Sequence, residues 1–308
     1  MVRDWTVCMD FTQLTYFIAT ADTGQVSRAA NQLAISQSAI TNAIRRLEEE
    51  LDVKLFQRTH TGMELTDAGR ELTRSARDIL DRVEQARHLS RDQSGITGTI
   101  SIAATYTVMG YFLPYHLERL RQLFPGLALQ LRELPRESVE EELLNGRLDM
   151  AVVLTSNLEN PDLEQQTLFR SARRLWVSQA HPFHRKGLAT FEEIAAQDYI
   201  MLTVDEAAQT AMRYWSRTGF HPKVKLRTAS TEAVRSMVAN GEGITILSDM
   251  VYRPWSLEGR RIGTVLTDIP VPSMGIGLAW RRGRDFNDPM AVFRDYFRRA
   301  YLRPQAAF

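Results

Sequence analysis

The segment SQSAITNAIRRLEEEL, from Ser36 to Leu51, concentrates the side chains best suited to chemistry. Ser38, Thr41, Asn42, Arg45 and Glu49 fall on one helical face, and all but Glu49 can donate hydrogen bonds to base edges or phosphates. Ser36 stands where an N-cap is wanted, so the first turn presents Gln37 and Ser38 with free backbone N–H groups beside them. On the opposite face Ile40, Ile44, Leu47 and Leu51 recur at steps of four, three and four, which predicts a buried stripe. This division suits a helix that is read against a nucleic acid.

Two preceding segments would position that helix. Leu14, Phe17, Ile18 and Ala21 follow the i, i+3, i+4, i+7 rule, and Val26, Ala29, Ala30 and Leu33 repeat it after the Thr23-Gly24 turn signal. Only Ala34-Ile35-Ser36 separates the second and third helices, the tight connection of a helix-turn-helix. Leu55-Phe56, a Thr61-Gly62 turn and Met63-Glu64-Leu65 then predict a two-stranded wing with Arg58 near its tip. From Phe11 to Thr66 five cations, Arg28, Arg45, Arg46, Lys54 and Arg58, stand against six acids. A strongly basic patch is the usual footprint of a nucleic-acid binder. Binding here must therefore rest on where the cations sit and on two copies of the unit. The alternative is a helix-turn-helix used only for protein contacts.

From Thr66 to about Asp92 the chain reads as one long helix, with Thr66 as its cap and Asp67 at the positive end of its dipole. Leu72, Ala76, Ile79, Val83 and Ala86 form a heptad stripe among six acids and six arginines. So narrow a seam calls for a second chain; the alternative is a surface helix lying on the domain that follows it. Gln93 to Gly98 supplies a flexible hinge.

Strand and helix signals alternate through the remaining two-thirds, which argues for α/β lobes. Thr99–Ala104, Leu127–Leu134 and Leu148–Leu154 read as strands around helices at Met109–Leu123 and Glu137–Leu144, a βαβαβ unit. Strands are expected near Leu175, Ile200, Val224 and Ile246, helices near Met212 and Val234, then a strand Ser273–Trp280 and a helix from Pro289 to about Leu302. Ligands in such open sheets lie beyond the carboxyl ends of the strands. The hydroxyl-bearing residues there are Thr105, Tyr106 and Thr107, Thr155 with Ser156, Thr203, and Ser230 with Thr231. Each alone is as readily a helix cap. Together they suggest a pocket lined with donors and no acid, suited to an anionic or carbonyl-bearing metabolite, small carboxylates first.

Other constellations are weaker. His181 and His184 lack a clustered third metal ligand. Gly241-Glu242-Gly243 lacks the frame of a phosphate loop, and no nucleophile elbow, HExxH or dinucleotide fingerprint occurs. Trp215 reads as core, while Trp255 is left open. No cofactor is implied. The 308 residues are 44% hydrophobic and 24% charged, with a net charge of +1, which fits a soluble globular chain of two or three domains. One cysteine, Cys8, allows no intrachain disulfide. No apolar run has membrane-spanning length and no signal-peptide core precedes Phe11, so a cytoplasmic protein without a membrane partner is expected. Met9 opens MDFTQL, so residues 1 to 8 read as a start-site extension.

FTQLTYF, RAANQL, SQSAITNAIRRLEEELDVKLFQR and LTDAG together resemble, in order and spacing, the N-terminal domain of LysR-type transcriptional regulators. A weaker resemblance continues to the C-terminus. Gln25-Val26 stands where that family usually has Ser-Phe, and Asn42 where Arg is common. The resemblance implies an α/β chain with an N-terminal all-α winged helix-turn-helix and a two-lobed effector domain like that of periplasmic solute-binding proteins. The expected boundaries are residues 1–66 for DNA binding, 67–92 for a dimerising linker helix, 93–97 for a hinge and 98–308 for effector binding. Within the last, lobe I takes about 98–169 and 271–308 and lobe II about 170–270. Double-stranded DNA, a small effector between the lobes, further copies in a homodimer or homotetramer, and RNA polymerase are the partners implied. DNA contacts are expected from Ser36, Gln37, Ser38, Thr41, Asn42, Arg45, Arg28 and Arg58. The rival is an α/β solute-binding or enzymatic domain with an incidental helix-turn-helix.

Overall fold

A computed structural model describes residues 9–33, 35–59, 62–88 and 96–301. Cys8, Ala34, Thr61, the hinge from Gln93 to Gly95, the expected helix end at Asp92 and Leu302 lie outside the described residues. The chain divides into two compact units, one ending at residue 95 and taking in the residues from Tyr296, the other Ile96–Asp295.

In the first unit Asp10 and Gln13 exchange backbone and side-chain bonds in a capping box that starts α1 (Phe11–Thr23). Gly24 ends the helix at φ 67°, a left-handed conformation that glycine adopts at little cost. α2 (Val26–Leu33) and α3 (Gln37–Leu51) follow, then the antiparallel strands β1 (Phe56–Thr59) and β2 (Gly62–Leu65), with Arg58 opposite Met63. The wing is tied to the first turn because Met63 N–H donates to Gly24 O at 2.7 Å. A Cβ on Gly62 would sit 2.3 Å from that same oxygen, so only glycine fits. Leu14, Phe17, Ala29, Ala30, Ile40, Ile44 and Leu47 form the core, closed by Leu55 and Phe56. Leu51, expected on the buried stripe, is instead exposed: Asp52 turns left-handed at φ 50° and ends the helix there.

α4 (Asp67–His88) starts at Thr66, whose Oγ1 accepts the Gly69 N–H at 3.0 Å. Its apolar seam differs from the expected one. Ala76 and Leu80 are buried in the core of their own unit, with Leu72 and Ile79 packed partly against it. Val83 is half-buried, and the Ala86 side chain lies outside the described residues. The chain's own helices thus take up part of the stripe that the sequence offered to a second copy.

The second unit runs β3 (Gly98–Ala104), α5 (Tyr106–Tyr111), α6 (Leu113–Leu123), β4 (Leu127–Glu133), α7 (Arg136–Leu144), β5 (Met150–Leu154) and β6 (Leu163–Ser171). It continues through β7 (Arg173–Ser178), α8 (Pro182–Lys186), β8 (Leu188–Ala189), α9 (Phe191–Ala195), β9 (Asp198–Leu202), α10 (Ala207–Trp215) and β10 (Lys223–Thr228). α11 (Thr231–Ala239), β11 (Thr245–Ser248), β12 (Ile262–Thr267), β13 (Met274–Arg281) and the part of α12 (Asp288–Tyr301) before Tyr296 complete it. Lobe I is a five-stranded sheet in the order β4-β3-β5-β13-β6, with β3 parallel to β4 and β5 and with β13 antiparallel to β5 and β6. Lobe II holds the sheet β11-β7-β12-β8 and the parallel pair β10-β9, joined to it by a Tyr199–Ile244 bridge.

Two expectations need correction. The single helix at Met109–Leu123 is two helices broken at Phe112 (φ −125°, ψ −54°), just before Pro114, which has no N–H to continue the ladder. The first crossing falls at Ala172 rather than at Thr167–Arg170, because β6 continues to Ser171, paired with Met274. Trp215 is fully buried, as its setting suggested, whereas Trp255 is 57% exposed with the Arg261 guanidinium over its ring. His181 caps α8, its Nδ1 accepting the Phe183 N–H at 3.2 Å. Among the described residues no helix is long and apolar enough to cross a membrane.

Candidate DNA-reading face and inter-lobe cleft

Ser36, Gln37, Ser38, Thr41, Asn42 and Arg45 are all exposed, and so are Arg28 and Arg58. The cap forms as expected: Ser36 Oγ accepts the Ala39 N–H at 3.2 Å and lies 3.0 Å from Ser38 Oγ. Thr41 Oγ1 donates back to Gln37 O at 2.9 Å, which leaves its oxygen free to accept and fixes its rotamer. Arg45 approaches Glu49 only to 3.7 Å with both side chains about two-thirds exposed (64% and 66%), a pairing too weak to withhold the guanidinium from a phosphate. Lys54, Arg70 and Arg77 are engaged by Glu48, Asp67 and Asp22. Among the described residues Arg28, Arg46 and Arg58 pair with no carboxylate. The cations left for phosphates therefore sit on α2, α3 and the wing. Arg46 was missing from the sequence-based set, although its place beside Arg45 was a usable signal.

Glu48 carries a structural task that helical periodicity did not reveal. Its Oε1 accepts the Leu55 and Phe56 N–H groups at 2.9 and 3.2 Å, and its Oε2 accepts from Lys54 Nζ at 2.7 Å. Burial pushes this carboxyl up, but the Lys54 and amide bonds outweigh burial and hold it below its ordinary value. Glu48→Ala should leave two amides without acceptors and destabilise the N-terminal unit by about 1–3 kcal/mol, measured by chemical denaturation. Because the folded pKa is the lower one, the wild-type advantage should be full above the unfolded carboxylate range and fade as pH falls through the folded value. A pH-independent difference would point to packing instead.

Beyond the strand ends of the second unit, the hydroxyl residues divide. Thr107 and Tyr106 open α5 beside lobe II: the Thr107 N–H donates to the Asp205 carboxylate at 2.6 Å, and Tyr111 OH lies 3.4 Å from Glu232. Partial burial, Tyr111 and the acids Glu133, Glu232 and Asp205 raise the Tyr106 hydroxyl above its ordinary value. Thr105 is buried and its Oγ1 has no partner among the described residues. Thr155 is also buried, with its hydroxyl bonded to Thr167 at 2.8 Å. Ser230 is the N-cap of α11, accepting the Ala233 N–H at 3.1 Å, with Thr231 buried behind it. Thr203 joins β10 through its N–H to Thr228 O at 2.9 Å. The expected lining without acids is thus corrected: Asp205, Glu206 and Glu232 stand where the lobes meet. They escaped the sequence reading because nothing local marks a side chain that bonds across the chain.

Comparison with known proteins agrees with both halves. The lysR-family bacterial regulatory helix-turn-helix domain matches residues 11–70, and the LysR substrate binding domain matches residues 93–302. The DNA-binding transcriptional dual regulator OxyR of Escherichia coli (strain K12) is 30% identical over 279 residues, 89% of this chain and 90% of its own. The crystal structure of HinK, a LysR family transcriptional regulator from Pseudomonas aeruginosa, superposes with a TM-score of 0.63 at 26% identity, covering 94% of this chain and 97% of that one. Full-length CbnR, crystallised with its target DNA, shares the fold at a TM-score of 0.54 and 24% identity, covering 94% and 99%. On these matches the chain belongs to the LysR family of DNA-binding transcriptional regulators with an effector-binding domain.

Proposed function

We propose that this regulator works in the cytoplasm as a homodimer or a pair of dimers, reads its operator through α3 and the wing, and changes its contact with RNA polymerase when a small effector enters between the lobes. The effector alters the angle between the lobes and with it the spacing of the winged units on DNA. It carries out no catalytic step. The proposed domain limits are those of the sequence: 1–66, 67–92, 93–97 and 98–308. The observation that carries the reading is the exposed row Gln37, Ser38, Thr41, Asn42 and Arg45 on a helix anchored by Ile40, Ile44 and Leu47. No disulfide within one chain can supply the signal, because these residues hold one cysteine. A small carboxylate is the effector class proposed, because the N-terminus of α11, capped by Ser230, favours negative charge.

Gln37→Ala should lose about 1–3 kcal/mol of specific binding to the chain's own upstream region while binding to random DNA stays nearly unchanged. Equal loss on both would reduce Gln37 to a fold-supporting role. Arg58→Ala should weaken both and flatten the salt dependence by about one unit. For the effector, a thermal-shift panel of small carboxylates, amines and apolar aromatics on the wild type and on Ser230→Phe tests class and place together. If amines alone raise the melting temperature, the acids at the boundary govern selection and the carboxylate reading fails. A normal response in Ser230→Phe would place the pocket elsewhere.

A further inference from the structure

Between β9 and α10 the chain makes a turn that its residue types do not favour. Asp205 (φ 49°, ψ 44°) and Glu206 (φ 55°, ψ 26°) are consecutive left-handed residues, and neither is glycine. Side chains with a Cβ rarely adopt that region, and two in succession persist only where the surroundings over-determine them. Here the groups that hold the turn come from the other lobe. Thr107 N–H donates to Asp205 Oδ2 at 2.6 Å. Asn157 Nδ2 donates to Asp205 O at 3.0 Å and to Glu206 Oε2 at 3.1 Å. Arg136 Nε donates to Glu206 Oε1 at 3.2 Å, while its Nη1 is held by Glu140 and its Nη2 lies 3.6 Å from Glu137. Thr107, Asn157 and Arg136 belong to lobe I, whereas Asp205 and Glu206 belong to lobe II.

These bonds form one unit. The carboxylates and the Asp205 carbonyl are aimed at lobe I only while the turn stays left-handed, and lobe I supplies the donors that keep it so. A helical or extended backbone at either residue would swing both side chains away. Loss of one bond should therefore weaken the others, as in other networks that share a strained element.

We propose that Asp205 and Glu206 form a strained latch between the lobes: the left-handed turn is maintained by Thr107, Asn157 and Arg136 and relaxes when the lobes separate. Any ligand that changes the angle between the lobes then has to make or break these bonds, so the latch sets how large an effector response is possible. That regulatory consequence rests on the cleft reading above; the latch itself does not.

Hydrogen exchange of the full-length chain, with neither DNA nor ligand added, tests it. Asp205→Gly removes the acceptor and relieves the left-handed strain at once, and it should speed exchange at the Thr107 amide at least tenfold while the Val234 amide inside α11 keeps its wild-type rate. Arg136→Gln leaves the turn's own sequence untouched and weakens one of the donors that lobe I supplies to the latch. It should also raise Thr107 exchange severalfold, which covers the case in which Asp205→Gly disturbs folding and accelerates Val234 as well. Wild-type exchange at Thr107 in Arg136→Gln, with Val234 unchanged, would show that the bonds do not act together and overturn the latch. No readout here depends on DNA or an effector, so failure of the latch and failure of the proposed function are separable.

Discussion

Phe17→Ala should abolish DNA binding by unfolding the N-terminal unit, with a loss of about 3–5 kcal/mol for an aromatic ring removed from a closed core. Phe17 is fully buried and its ring lies 5.3 Å from that of Phe56, tilted by 56°, so it joins α1 to the first strand of the wing. The remaining core is small: Leu14, Ile40, Ile44, Leu47, Leu55, Phe56 and Leu80 with a few alanines. It has little apolar surface with which to refill the void. A loss of that size is comparable to the whole stability of a unit this short. Calorimetry and a mobility shift on full-length protein check it. The transition of the N-terminal unit should be lost, while that of the Ile96–Asp295 unit, whose core is a separate set of side chains, should remain near its wild-type temperature. A drop below about 1 kcal/mol would mean that the site collapses around the gap and that Phe17 is no keystone.

Ile79→Glu should convert the assembled protein to monomers in sedimentation. Ile79 packs partly against the core of its own unit, leaving the rest of its surface beside Val83 on α4. A carboxylate there would have to be buried without a partner when two copies of α4 meet, at a cost of several kcal/mol. Because Ile79 also touches its own core, monomers alone would leave two explanations. Val83→Glu separates them. Val83 is not among the residues packed on that core, so its replacement should dissociate the assembly and leave the melting of the isolated protomer unchanged. A dimer that survives both substitutions lies on some other surface.

The sequence by itself determined what depends on near neighbours along the chain. The steps of three and four at Leu14 and Phe17, at Val26, Ala29 and Ala30, and at Ile40, Ile44 and Leu47 placed three helices and their buried faces, because helical burial repeats every 3.6 residues whatever the helix packs against. It determined the cap at Ser36 and the donor face of α3, and the order and spacing of its motifs carried the family. Glycines at 24 and 62 marked a turn and a wing, although the contact that demands Gly62, the close approach to Gly24 O, joins two segments far apart in the chain. Tertiary structure alone decided what depends on which distant groups meet. Glu48 looks like one more surface acid in RRLEEEL until the wing folds back and gives it two amides to accept. Leu72, Ala76 and Ile79 of the stripe on α4 turned toward the core of their own unit, because the other helices there offer them an apolar surface. β6 continued to Ser171 because β13, more than a hundred residues later, offers it a pairing edge. Asp205 became the counterpart of the Thr107 amide for the same reason: a hydrogen bond across 98 residues leaves no periodic trace, since burial patterns record a residue's face and not its partner.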